Sequence, residues 1–144
     1  EILYNGESLT FNANFSWNKG ARIIDILTGR SSNTYIYRIQ HQESDALTFE
    51  RRAAFGSPAQ GGTISANAFN QAYNFTISNL GSGMAFQVRD AVNKNLLFSN
   101  FYQRTGTNFN CISGIYFYSQ LDDITGFGGS LDDWRNYGMF FNSI

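Results

Sequence analysis

Apolar and polar residues alternate with a period of two along many short stretches of this chain. In residues 8–17, for example, Leu9, Phe11, Ala13 and Phe15 are separated by single polar residues. A β-strand points successive side chains to opposite faces, so this pattern predicts strands with one buried face and one wet face. About ten such stretches recur at the spacing of roughly 8–12 residues that is typical of sandwiches. The predicted fold is all-β, a two-sheet antiparallel β-sandwich without a convincing helix.

The length of 144 residues suits one domain with one core, and 14 phenylalanines supply the material for it. We therefore predict a single domain over residues 1–144, with its core at about residues 3–124. The remaining residues, 125–144, are expected to pack back on it as a tail. Within this tail residues 130–134 fit one helical turn, and residues 139–144 fit an edge strand.

Several classes of function are disfavoured by composition. The net charge is −1 and the basic residues are scattered, whereas a nucleic-acid binder normally shows a basic stripe. No apolar run approaches the ~20 residues that span a bilayer, so membrane insertion is not expected. The single cysteine, Cys111, excludes an internal disulfide and leaves no cysteine cluster for zinc. No metal or other cofactor is expected.

Residues 34–52 show two alternating halves joined by a short polar connection. The connection at residues 43–45 fits a hairpin, so the polar sides of both halves are expected to lie together on one sheet. The polar side chains of this hairpin are Arg38, Gln40, Gln42, Thr48, Glu50 and Arg52. Such planar donors and acceptors are suited to sugar hydroxyls. The same pattern also fits the wet face of an ordinary antiparallel sheet.

The rest of the chain reads as further strands and loops. Residues 54–62 hold the only proline and three glycines, which predicts a loop leaving the hairpin. A weak strand is expected at residues 63–69, followed by one at 73–78 and a hairpin at 84–101. Residues 111–118 and 121–124 are expected to form a last pair of strands.

Six stretches follow one another in the order seen in the galectin-like carbohydrate-recognition domain, which this chain resembles. They are YNGESLTFNANF, RIIDILTG, IYRIQHQ, ANAFNQAYNFTIS, MAFQVRDAVNKNLLFSNFYQR and CISGIYFYSQLDDIT. The similarity covers residues 3–124, nearly the whole chain. It implies a galectin-like jelly roll, and a non-catalytic lectin that binds an oligosaccharide or glycoprotein outside the cell or at its surface, as in cell adhesion.

The residues at the implied sugar site differ from those of the family. Those at the family's His-x-Asn-x-Arg positions are Arg38, Gln40 and Gln42. Glu50 falls near the Asn of the following strand, Phe55 is the aromatic nearest to the place of the family's Trp, and Gln60 lies roughly where the family has Glu-x-Arg. The alternating polar positions are kept while their identities change, which suits a retuned ligand as well as a lost one.

Catalysis has little support in the sequence. The one histidine, His41, shares the apolar face of its strand and is expected to be half-buried packing rather than a base. Glu50 with Glu43 or Asp45 would be the pair for a glycan-active enzyme, but Glu43 and Asp45 lie in the predicted turn. The chain is therefore expected not to be an enzyme.

Two sequons, at Asn14 and Asn74, place the asparagine in the polar row of a predicted strand. They are glycosylation candidates if the chain passes through a secretory pathway. In that case we expect a glycoprotein that is one domain of a larger secreted or surface protein.

An interaction domain that has lost sugar binding is the alternative to a lectin. It predicts an apolar or aromatic patch outside the core that docks a protein partner. The candidate residues for this patch are Phe101, Tyr102, Trp134 and Tyr137.

Overall fold

The computed structural model describes residues 5–15, 22–28, 35–53, 60–103, 112–118, 124–125 and 139–141. These residues hold eleven strands and no helix, which confirms the predicted all-β class. The strands are β1 Ser8–Asn14, β2 Arg22–Thr28, β3 Tyr35–His41, β4 Leu47–Ala53, β5 Gln60–Ser65, β6 Ala72–Asn79, β7 Gly83–Asp90, β8 Leu96–Gln103, β9 Ile112–Phe117, β10 Ile124–Thr125 and β11 Met139–Phe141.

The strands form two sheets, as predicted for a β-sandwich. One sheet has five strands in the order β10-β1-β6-β7-β8, and the other has six in the order β11-β9-β2-β3-β4-β5. Neighbouring strands are antiparallel except for β11, which runs parallel to β9 at the edge of the six-stranded sheet. The edge strand predicted near the end of the chain is thus confirmed for Met139–Phe141, whereas the predicted helical turn at residues 130–134 lies outside the described residues.

The core forms because the alternating apolar residues of both sheets point inward. Strand β6 alternates between half-buried and buried positions along its whole length, and β1 buries every second residue. Aromatic rings from the two sheets meet directly: Tyr37 of β3 stacks on Phe86 of β7 with ring centroids 4.9 Å apart, and Phe49 of β4 lies 4.7 Å from Phe86. Fully burying such a side chain contributes about 1.5–3 kcal/mol, so these contacts hold the layers together.

The predicted loop at residues 54–62 is wrong at its end, because strand β5 begins at Gln60. Gly61 lies so close to β4 that a Cβ atom there would be 1.9 Å from the Phe49 carbonyl oxygen. The glycine therefore permits close approach of two strands instead of marking a loop. The strand ends at Ser65, whereas the sequence predicted that it would continue to residue 69.

The prediction that residues 111–118 pair with residues 121–124 is also wrong. Strand β9 belongs to the six-stranded sheet and pairs with β2 and β11, whereas β10 belongs to the five-stranded sheet and pairs with β1. Residues 112–117 and 124–125 are strands, but alternation alone carries no information about which sheet a strand joins. The predicted hairpin of β7 and β8 is confirmed, with Lys94 in a left-handed turn.

Candidate ligand-binding face

The predicted polar row is present on the outer face of the six-stranded sheet. Strands β3 and β4 pair with Arg38 opposite Glu50, Gln40 opposite Thr48, and Ile36 opposite Arg52. The intervening residues Tyr37, Ile39 and Phe49 are buried, which turns the polar residues outward. Arg38, Gln40, Thr48 and Glu50 are half-buried, whereas for Arg52 the position is given by its backbone register. The hairpin is thus confirmed, as is the shared face for these four half-buried residues, and we call the surface of the whole row the hairpin face.

Arg38 is held in place by a carboxylate of the neighbouring strand. Its Nε atom donates to Oδ1 of Asp25 at 2.8 Å and its Nη2 atom donates to Oδ2 at 3.1 Å. The hydrogen bond with Asp25 raises the pKa of Arg38 above its already high usual value, and the nearby charge of Glu50 acts in the same direction. A bidentate pair fixes the guanidinium plane as well as its position. Arg38 therefore presents its remaining N–H groups in a defined orientation.

Gln42 and Thr48 form a small network at the turn end of the hairpin face. Gln42 Nε2 donates to the Thr48 hydroxyl at 3.1 Å, and that hydroxyl donates to the Gln40 carbonyl oxygen at 3.4 Å. Within the part of the chain that the structure describes, the Gln40 side-chain amide makes no hydrogen bond. That amide is consequently a donor and acceptor available to a ligand.

Strand β9 brings Tyr116 to the same face, and Tyr118 follows directly after the end of this strand. The sequence analysis treated both tyrosines only as part of a strand. Ile115 and Phe117 are buried, so alternation turns Tyr116 outward, and its backbone partner is Asp25. Tyr116 and Tyr118 are both half-buried. Burial raises the pKa of Tyr118, and the charge of Asp25 raises it further while that of Arg38 lowers it.

Asp25 was also missed as a member of the site, although a signal was present. It is the one acidic residue in the apolar strand RIIDILT, and it is 8% exposed. A buried carboxylate requires a charged or hydrogen-bonding partner. Its position opposite Arg38 depends on the pairing of β2 with β3, which the sequence pattern does not specify.

The two outlying predicted residues are not brought to the hairpin face by described contacts. Phe55 lies outside the described residues. Gln60 pairs in backbone register with Arg51, whereas Gly61 is the partner of Glu50. Arg51 belongs to the inner row, where its guanidinium carbon lies 4.6 Å from the ring centroid of Tyr102.

His41 is fully buried, not half-buried as predicted. Its Nε2 atom lies 2.5 Å from Asp45 Oδ1, its ring packs edge-on against Phe15, and its Nδ1 atom has no hydrogen-bond partner among the described residues. Asp45 thus directs its carboxylate to the inner side of the hairpin, whereas Glu50 lies on the outer face. Asp45 and Glu50 therefore lie on opposite sides of the hairpin, and Glu43, the other carboxylate suggested as a partner of Glu50, is exposed in the turn.

The sequon asparagines lie on paired strands of the five-stranded sheet, Asn14 as the last residue of β1 and Asn74 as the third of β6. Asn74 Nδ2 donates to Asn12 Oδ1 at 2.9 Å, and Asn14 Oδ1 is buried without a hydrogen-bond partner among the described residues. Both asparagines are half-buried, and their use as glycosylation sites stays a prediction.

The described ranges also bear on metal binding and on membrane insertion. Those ranges contain no group of three or more His, Cys, Asp or Glu side chains arranged to hold a metal ion. They contain no helix long and apolar enough to span a membrane.

Comparison with known proteins gives no family for this chain. No protein-family model matches it, and no curated protein matches it.

Proposed function

We propose that this protein is a non-catalytic carbohydrate-binding module whose ligand lies on the hairpin face. The observation that carries the proposal is the bidentate Asp25–Arg38 pair, which fixes a guanidinium beside the uncommitted Gln40 amide and in register with Glu50. Sugar hydroxyls both donate and accept, so they match a row of fixed amide, guanidinium and carboxylate groups. Fixing these groups in advance reduces the entropy lost on binding.

The charges of the hairpin face favour a neutral sugar. Arg38 is the basic residue at its centre, and its charge is already compensated by Asp25. Glu50 adds a second carboxylate close to the same guanidinium. Arg52 in the same row only balances Glu50 in number, so this face has no net positive charge to attract a sialylated or sulfated ligand, and its two carboxylates would repel one. We therefore expect neutral oligosaccharides to bind better than their acidic counterparts.

A glycan array with the full chain tests this function. Wild-type protein is expected to bind neutral oligosaccharides, and Gln40→Ala is expected to weaken that binding. The matched control is Gln87→Ala, which removes an exposed glutamine from the five-stranded sheet. An array that stays blank at high protein concentration, or equal binding by both variants, would contradict the proposal.

The finer expectations follow from the resemblance to galectin-like domains. The strand order within each sheet is supported by the hydrogen-bonded register, and we propose that the strands are connected as in a galectin-like jelly roll. Location outside the cell or on its surface, a role in adhesion, and glycosylation at Asn14 and Asn74 belong to the same proposal. Expression in secreting cells, followed by mass measurement of the Asn14→Gln and Asn74→Gln variants, tests the sequons.

Docking of a protein partner is a second candidate function, favoured by the apolar edge of the five-stranded sheet. Leu96, Leu97 and Phe101 of β8 are 48%, 39% and 47% exposed. Tyr102 was expected in this patch but is 6% exposed, because alternation turns it into the core. Trp134 and Tyr137 lie outside the described residues. A partner whose binding is lost in Phe101→Ser and kept in Gln40→Ala would support this function.

A further inference from the structure

We infer that Tyr116 and Tyr118 form an aromatic platform at one end of the hairpin face, and that the ligand is a neutral oligosaccharide lying across the strands from β4 to β9. This inference rests on the proposed carbohydrate-binding function. It adds a surface for the apolar C–H side of a sugar ring, which the polar row of the hairpin does not supply.

The sheet order places this platform beside the polar row. Strand β2 lies between β9 and β3, and the register runs from Tyr116 to Asp25, then to Arg38 and Glu50. All four residues therefore occupy one line across the sheet. Tyr118 lies two residues beyond Tyr116 along the chain, and the charges of Asp25 and Arg38 act on the pKa of its hydroxyl.

The burial of the two tyrosines suits a stacking role. Each is half-buried, so part of its surface is in contact with protein and part is accessible. An aromatic ring held in this way loses little conformational freedom when a ligand packs on it. The phenol hydroxyl adds a polar group at the ring edge, where sugar hydroxyls lie.

The length of this row indicates more than one sugar unit. Neighbouring strands are about 4.8 Å apart, so Tyr116 and Glu50 are separated by roughly 14 Å across three strand intervals. A ligand that contacts both the platform and the Arg38–Glu50 pair must therefore extend over several rings. A tetrasaccharide is expected to bind more tightly than the disaccharide of the same series.

Titration of the full chain with defined sugars tests the platform. The probes are lacto-N-tetraose, cellotetraose, maltotetraose, chitotetraose and mannotetraose. Each is compared with the disaccharide of the same series. For the tetrasaccharide that binds wild-type protein, Tyr116→Ala and Tyr118→Ala are each expected to lower affinity about 2- to 10-fold. The Phe variants keep the ring and should retain most of the affinity. Phe101→Ala removes an exposed ring from the other sheet and should change nothing.

A second measurement uses wild-type protein, so it tests the platform even if an Ala variant fails to fold. In wild-type protein with labelled tyrosine rings, the signals of Tyr116 and Tyr118 should shift with the bound tetrasaccharide. The buried rings of Tyr37 and Tyr73 should not shift. One result would overturn the platform alone. In that result Gln40→Ala weakens binding, the ring signals of Tyr116 and Tyr118 do not shift, and their Ala variants bind as tightly as wild-type protein. Failure of every probe to bind would overturn the platform together with the proposed function.

Discussion

The Arg38 guanidinium on β3 and the Asp25 carboxylate on β2 meet through two hydrogen bonds, with Nε 2.8 Å from Oδ1 and Nη2 3.1 Å from Oδ2. Asp25 is almost completely buried, so this contact supplies the partner that a buried carboxylate requires. The pair joins two strands of the six-stranded sheet and also sets the orientation of the group that we place at the centre of the sugar site.

Asp25→Asn should lower both stability and sugar affinity. The change leaves Arg38 without its counter-charge, and we expect the free energy of unfolding to fall by about 1–3 kcal/mol. Urea denaturation measures this loss. In a double-mutant cycle with Arg38→Gln, the two changes should be less than additive because they remove one shared contact. Strict additivity would show that the pair contributes no coupling.

Gly61→Ala should be more destabilising than Gly62→Ala. A Cβ atom at Gly61 would lie 1.9 Å from the Phe49 carbonyl oxygen, whereas one at Gly62 first meets the Phe98 ring edge at 3.0 Å. Backbone of a paired strand cannot move aside as a side chain can, so we expect a loss of about 1–3 kcal/mol or more at Gly61. Thermal unfolding of both variants compares them, and equal stability would contradict the described pairing of β4 and β5.

Stability should decline at alkaline pH through two buried tyrosines. Burial raises the pKa of Tyr73 and of Tyr102 above the ordinary value of 10.0. The folded state then holds these protons more tightly than the unfolded chain. The resulting stabilisation is fully present below about pH 10 and is lost as the pH rises through the folded-state pKa values. Unfolding midpoints measured from neutral to alkaline pH should fall less steeply in a Tyr73→Phe/Tyr102→Phe variant than in wild-type protein.

Arg51→Met should weaken the contact between β4 and β8. The guanidinium carbon of Arg51 lies 4.6 Å from the Tyr102 ring centroid, and a cation over an aromatic ring contributes about 0.5–2 kcal/mol. The positive charge of Arg51 also lowers the pKa of Tyr102 against the larger effect of burial. Ultraviolet titration of the variant should therefore show a higher Tyr102 pKa than in wild-type protein, with Tyr102→Phe identifying the signal. An unchanged Tyr102 titration would argue against the contact.

The alternation of the sequence was sufficient to predict the buried rows and the hairpin, because side-chain direction in a strand follows directly from position. Leu9, Phe11 and Phe15 are buried as expected, and Arg38 faces outward beside Glu50. These features depend on local periodicity and on a short turn, and both are visible in the residue order.

Long-range pairing was not predictable in the same way. The contact of Asp25 with Arg38, the position of Tyr116 beside Asp25 and the separation of β9 from β10 all depend on which strands become neighbours. Gly61 was misread because glycine marks both loops and close approach of strands. The burial of His41 with Asp45 likewise results from the turn geometry, in which Asp45 has a φ of 71°.

Amide NMR spectra of the labelled full chain, recorded with and without the tetrasaccharide that binds most tightly, test the proposed site most directly. We predict that the perturbed amides lie on β9, β2, β3 and β4, around Asp25, Arg38 and Gln40. Perturbations confined to the outer face of the five-stranded sheet, around Thr10, Thr76 and Gln87, would contradict it.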